Sequence, residues 1–112
     1  MHRLWTLGHS TLAPADFITL IKDAGIDAIA DVMNRRMETD DSIVVMGEDV
    51  HRLKGGTNGA TRGLKERFPE RILGTPISEN AFTGLAGGMA LDGRYRPVIE
   101  FMYADFMWVA AD

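Results

Sequence analysis

The sequence sets a carboxylate where a helix should begin. In LGTPISENAFTGLAGGMALDG, Leu73 to Gly93, an apolar run meets Pro76, then Glu79, then a helix rich in small residues. Ser78 is the natural N-cap of that helix. Glu79 then falls in its first turn, where the helix dipole favours an ionised carboxylate. Such a placement serves ordinary helix initiation or proton chemistry at a helix mouth, and residue type alone favours ordinary helix initiation. His9 and Ser10, in TLGHS, are a second candidate, at a predicted strand end where α/β proteins place their ligands. A hydrolytic pair needs the His to take the Ser proton and an acid to orient the ring. Neighbours on a strand point to opposite faces, and no acid is placed for that role, so turn formation or capping is the plainer reading. His2 and His51 lack partners at metal-ligand spacing. GGTNGATRG is glycine-rich and precedes a helix, but it lacks the G-x-x-x-x-G-K-[ST] pattern of a phosphate loop and reads as a flexible connector.

Composition bounds what these residues can belong to. The 112 residues suffice for one small domain, and 46% hydrophobic with 25% charged residues describes a globular chain. A net charge of -4 disfavours broad binding to nucleic acid or an anionic membrane. The absence of cysteine excludes disulfides, thiol catalysis and cysteine-bound metals. No apolar run approaches the ~20 residues of a membrane span, and MHRLWTLGHS has too short an apolar stretch for a secretory signal. A cytoplasmic protein is expected.

The elements that must position the candidates follow from periodicity. LWTLGHS reads as a strand, PADFITLIKDAG as a helix with Phe17, Leu20, Ile21 and Ala24 on one face, and IDAIADV as a second strand. Together they form a β-α-β unit. ADVMNRRMETDDS carries Val32, Met33, Arg36 and Met37 at helical spacing, so a helix reaching back to Asp27 is equally consistent. SIVVMGEDV is a strand running into an acidic turn, TRGLKERFPER a short basic helix stopped by Pro69, and RILGTPI a strand. SENAFTGLAGGMALDG is a helix, YRPVIEFMY a strand, and ADFMWVAAD the start of a helix. The alternation predicts an α/β fold, a single three-layer domain over residues 1–112 with a mostly parallel sheet of about five strands.

From about Ile29 to Asp112 the chain resembles the β subunit of thiamine-diphosphate-dependent 2-oxo acid dehydrogenases. The resemblance is carried by MNRRMETDDSIVVMGEDV and by GGTNGATRGLKERFPERILGTPISENAFTGLAGGMALDGRYRPVIEFMYADFM, with GEDV, TPISE and RPVIEFM in that order. It covers the first part of that family's pyrimidine-binding, transketolase-like domain. Residues 1–32 resemble instead the opening of a bacterial family of unknown function with a T-x-G-H-S strand end. The chain thus reads as a segment of foreign origin, 1–32, joined to a truncated pyrimidine-binding segment, 33–112, by recombination, design or misassembly.

The resemblance implies roles. Glu79 matches the carboxylate that hydrogen-bonds the pyrimidine ring nitrogen of thiamine diphosphate, where burial would raise its pKa and let it share a proton. Glu48 matches a second acid near the cofactor, although a solvated acid in a strand-end turn accounts for it equally. Met102 and Phe106 match apolar contacts to the pyrimidine and would otherwise be core residues. In the resembled complexes an α-type partner subunit holds the diphosphate and Mg²⁺ through a G-D-G…N-N motif, which nothing in this chain matches. Charge-assisted contacts to phosphate and metal are the strong ones, so the chain alone is expected to bind no cofactor. The expected function is that of a chimeric or truncated domain without autonomous catalysis, forming a homo-oligomer. The alternatives are a genuine β-type component active only with an α-type partner, and a small hydrolase using His9 and Ser10.

Overall fold

The structure is a computed structural model that describes residues 25–52 and 54–111. The predicted strand LWTLGHS, the helix after it, and His2, His9 and Ser10 lie outside the described residues.

The first described element is helix α1, Ile26–Thr39. IDAIADV is therefore helical, and the strand reading of that stretch is corrected. Gly25 starts the helix with a left-handed φ of 79°, which glycine adopts without penalty. Ala30, Met33 and Met37 then recur at helical spacing and turn inward, while Ile29 and Val32 stay about half exposed. Alternation along IDAIADV loses to this longer 3.6-residue period.

Strand β1, Ile43–Glu48, is buried at every position. A continuous apolar run of this kind marks a strand covered on both faces of a parallel sheet. It lies between β2, Ile72–Thr75, and β3, Arg96–Glu100, and both pair with it in parallel. Three strands rather than five are present among the described residues. The β1–β2 connection runs through a glycine-rich loop, the short helix α2, Leu64–Arg67, and a 3₁₀ turn at Pro69–Arg71. The β2–β3 crossover is helix α3, Glu79–Asp92. Parallel neighbours require such crossovers.

Strand parity sorts the core into two layers. Ile43 and Val45 pack with Met37, Val50, Leu64 and Ile72 on one face. Val44 and Met46 pack with Phe82 and Ala86 on the other, alongside Met89, Ile99 and Phe101. The first face is fastened to α1 by arginines. Arg71 donates to the carbonyls of Met37 at 2.8 Å and Asp40 at 3.0 Å, satisfying groups that the end of α1 leaves open. Arg67 donates to Asn34 Oδ1 at 2.8 Å and pairs with Glu38. Both guanidinium groups lie over the ring of Phe68.

Two further expectations are refined. Ser78 is the N-cap of α3 but makes no side-chain cap bond, because its hydroxyl turns 3.3 Å from Asn80 Oδ1 instead. ADFMWVAAD forms two 3₁₀ turns, Ala104–Met107 and Val109–Ala111, rather than the start of an α-helix. Tyr103 and Phe106 meet edge-to-face with ring centroids 5.5 Å apart. That i to i+3 stacking suits the three-residue period of a 3₁₀ turn.

Candidate functional site

All three strands are parallel, so they end at one edge of the sheet, and that edge gathers the polar side chains. β1 finishes in Glu48, which continues the parity of Val44 and Met46 and so points toward α3. Asp49 follows with a left-handed φ of 56° and turns the chain away. Across from Glu48 in register is Thr75, the last residue of β2. Pro76 comes next and brings no backbone N–H. Three residues on, Glu79 opens α3.

Glu48 and Glu79 are both buried, at 6% and 7% exposure. Burial pushes the Glu48 carboxyl above the usual glutamate range, and the hydrogen-bonding carboxyl of Glu79, its charge and the charge of Asp49 push it further. Two carboxyls hydrogen-bond to each other only when one holds a proton. Glu48 can therefore hold a proton in this largely buried site and release it to an arriving base. Glu48 Oε1 and Thr75 Oγ1 are both buried without a hydrogen-bond partner. Among the described residues, then, the structure brings the two predicted acids together and leaves open polar valences beside them.

The other predicted residues lie beyond β3. Met102 and Phe106 are half-buried. The Met102 carbonyl accepts a hydrogen bond from Asn58 Nδ2 at 3.2 Å, which ties the glycine-rich loop to this end of the sheet. Thr61 Oγ1 donates to the Val50 carbonyl at 3.2 Å and anchors the loop's far end. The loop is thus a fastened connector.

Reading the sequence missed Glu100 and Thr75. Glu100 ends β3 opposite Gly47, on the face away from α3. Gly56 has a left-handed φ of 73°, which favours glycine, and a Cβ there would lie 2.8 Å from Glu100 Oε1, so the loop closes over this carboxyl without displacing it. Burial pushes Glu100 up to about 7. On the same face the His51 ring fills the space over Gly74 and accepts a hydrogen bond from Arg52 Nε at 2.9 Å. The signal for both missed residues was parity: once β1 is counted, Thr75 shares Glu48's face and Glu100 the opposite one. Among the described residues no group of three acids, histidines or cysteines is placed to hold a metal ion.

A parallel sheet with buried acids at the carboxyl ends of its strands and a small-residue helix starting there is an α/β domain of the kind that places ligands at that edge. The chain belongs to the family described as the transketolase pyrimidine-binding domain, which matches residues 24–112. The match begins upstream of the boundary read from the sequence at residue 32. Among curated proteins, the chain is 46% identical over 88 residues to the 2-oxoisovalerate dehydrogenase subunit beta of Bacillus subtilis strain 168, covering 78% of this chain and 26% of that protein. It is 42% identical over 85 residues to the pyruvate dehydrogenase E1 component subunit beta of Chaetosphaeridium globosum, covering 75% and 26%. It is 44% identical over 85 residues to the chloroplastic pyruvate dehydrogenase E1 component subunit beta-3 of Arabidopsis thaliana, covering 75% and 20%. The chain spans about a quarter or less of the length of these relatives.

Proposed function

We propose that the Glu48–Glu79 pair is the pyrimidine half of a thiamine-diphosphate site, and that an α-type dehydrogenase subunit supplies the half that holds the diphosphate and metal. The observation that carries this reading is that two buried carboxyls meet, one at the end of β1 and one in the first turn of α3, inside the segment that the pyrimidine-binding family matches. The residues fit a flat, weakly basic ring. Unpartnered Glu48 Oε1 and Thr75 Oγ1 offer it polar contacts, and Phe82 and Phe101, with ring centroids 5.6 Å apart, belong to the apolar layer beneath. Met102 and Phe106 follow at the same edge as apolar cover. When bound, thiamine diphosphate supplies the nucleophilic carbon that attacks a 2-oxo acid. The chain's own part is to bind the ring, exclude water and hold one proton between Glu48 and Glu79 for exchange with a ring nitrogen.

On this reading the isolated chain has no autonomous catalysis, is cytoplasmic, and carries the residues ahead of the family match, 1–23, as a segment of other origin. Incubation with thiamine diphosphate, Mg²⁺ and pyruvate should release no CO₂ above the free-cofactor background. Co-expression with the α subunit of a dehydrogenase whose β subunit it resembles should give cofactor binding that Glu79→Gln abolishes. Binding unchanged in Glu79→Gln contradicts the assignment, as does turnover by the chain alone that Glu79→Gln removes.

A further inference from the structure

The pyrimidine reading above assigns the two carboxyls but leaves Thr75 without a role. β1 and β2 pair Glu48 directly with Thr75. Residues in register on adjacent strands point to the same face, and the pairing of Val45 with Ile72 in the opposite core layer confirms the parity. Thr75 and Glu48 are thus cross-strand partners on the α3 side, and Thr75 Oγ1 and Glu48 Oε1 are each shut off from solvent and without a hydrogen-bond partner. Glu48 is itself more than nine-tenths buried. An unpaired buried hydroxyl and an unpaired buried carboxyl oxygen are each unfavourable, and a fold gains nothing by placing them side by side. Their cost is recovered when one polar group enters and bonds both. Because Pro76 has no N–H, the backbone offers no donor at that position, and the Thr75 hydroxyl is the side chain in register to supply one.

We infer that Thr75 is a further ligand-recognition residue of this site, its hydroxyl and Glu48 Oε1 together reading the edge of a planar heterocycle that carries a donor and an acceptor side by side. An aminopyrimidine has that edge; a hydrocarbon ring does not. The inference rests on the pyrimidine-site reading, and the test separates the two. The probe is 4-amino-5-hydroxymethyl-2-methylpyrimidine, titrated into the chain co-expressed with an α-type subunit and followed by ligand-observed NMR. Thr75→Val keeps the side-chain shape and removes the hydroxyl; Thr75→Ser keeps the hydroxyl.

Thr75→Val should weaken probe binding about fivefold to tenfold, and Thr75→Ser should stay within about twofold of the parent. The thermal midpoint of Thr75→Val should not fall, since an unpaired hydroxyl contributes nothing to the empty fold. If Thr75→Val binds as the parent does while Glu79→Gln is weakened, the Thr75 inference fails and the site reading stands. If the parent does not bind, or Glu79→Gln binds equally well, the site reading fails and takes Thr75 with it. A lowered midpoint with unchanged binding gives the hydroxyl a structural partner and also overturns the inference. Should Thr75→Val not fold, Thr75→Ala supplies the same comparison.

Discussion

Replacing Glu100 by Gln should change stability in a pH-dependent way, with the variant gaining on the parent as pH rises. Glu100 lies under the glycine-rich loop with Oε2 buried and unpaired, and burial alone lifts its carboxyl from 4.5 to about 7. The folded state therefore prefers the neutral acid, while the unfolded chain does not. Below pH 4.5 both states are protonated and no penalty exists; as pH rises through about 7 the folded state must ionise a buried group. The displacement corresponds to a ceiling of about 3 kcal/mol, and partial solvent contact reduces this to about 2. Gln keeps the shape and cannot ionise. Urea unfolding at pH 5 and pH 8.5 should then show the advantage of Glu100→Gln growing by about 2 kcal/mol between the two. The change with pH is the quantity to read, since the amide's own unmet donors weigh equally at both. An advantage that does not grow with pH refutes the assignment of a buried, unpaired carboxyl.

Gly74→Ala drives a methyl into the His51 ring, so it should cost roughly 1–3 kcal/mol; His51→Ala should restore most of the loss, and additive single and double variants would deny the contact. Leu91, Trp108, Met107 and Val109 are exposed at 91%, 81%, 59% and 53%, and apolar surface of this kind seeks a partner. Sedimentation at micromolar concentration should accordingly show a homo-oligomer, whereas a compact monomer contradicts it. Single-tryptophan variants keeping Trp5 or Trp108 should report one denaturation midpoint, as a single cooperative domain requires, and two clearly different midpoints contradict it.

Much of this fold is legible in the residues because burial imposes a period. Ile43 to Met46 is apolar without a break, as a strand covered on both sides requires, and SENAFTGLAGGMALDG carries its cap, its first-turn acid and its closing glycine in order. The start of α1 was ambiguous because Ile29 and Val32 remain half exposed, so apolar residues there do not mark the buried face. The 3₁₀ ending was hidden because the Tyr103–Phe106 stacking that suits it is a contact geometry rather than a pattern. At the site, Glu48 and Glu79 could be singled out by resemblance, but their meeting depends on β2 ending beside β1. Thr75 and Glu100 became visible only through register, which couples positions far apart in the chain and has no local signature.

The central claim is that burial, with Glu79 beside it, holds the Glu48 carboxyl above the usual glutamate range. Carbon-13 NMR of the glutamate-labelled chain, titrated against pH, tests it directly. Glu48 should titrate above the ordinary range, and Glu79→Gln should bring it back down, because that variant removes both the carboxyl that bonds to Glu48 and its charge, leaving burial and the Asp49 charge to hold it up. A Glu48 that titrates as a solvated glutamate, or that ignores the loss of Glu79, contradicts the account.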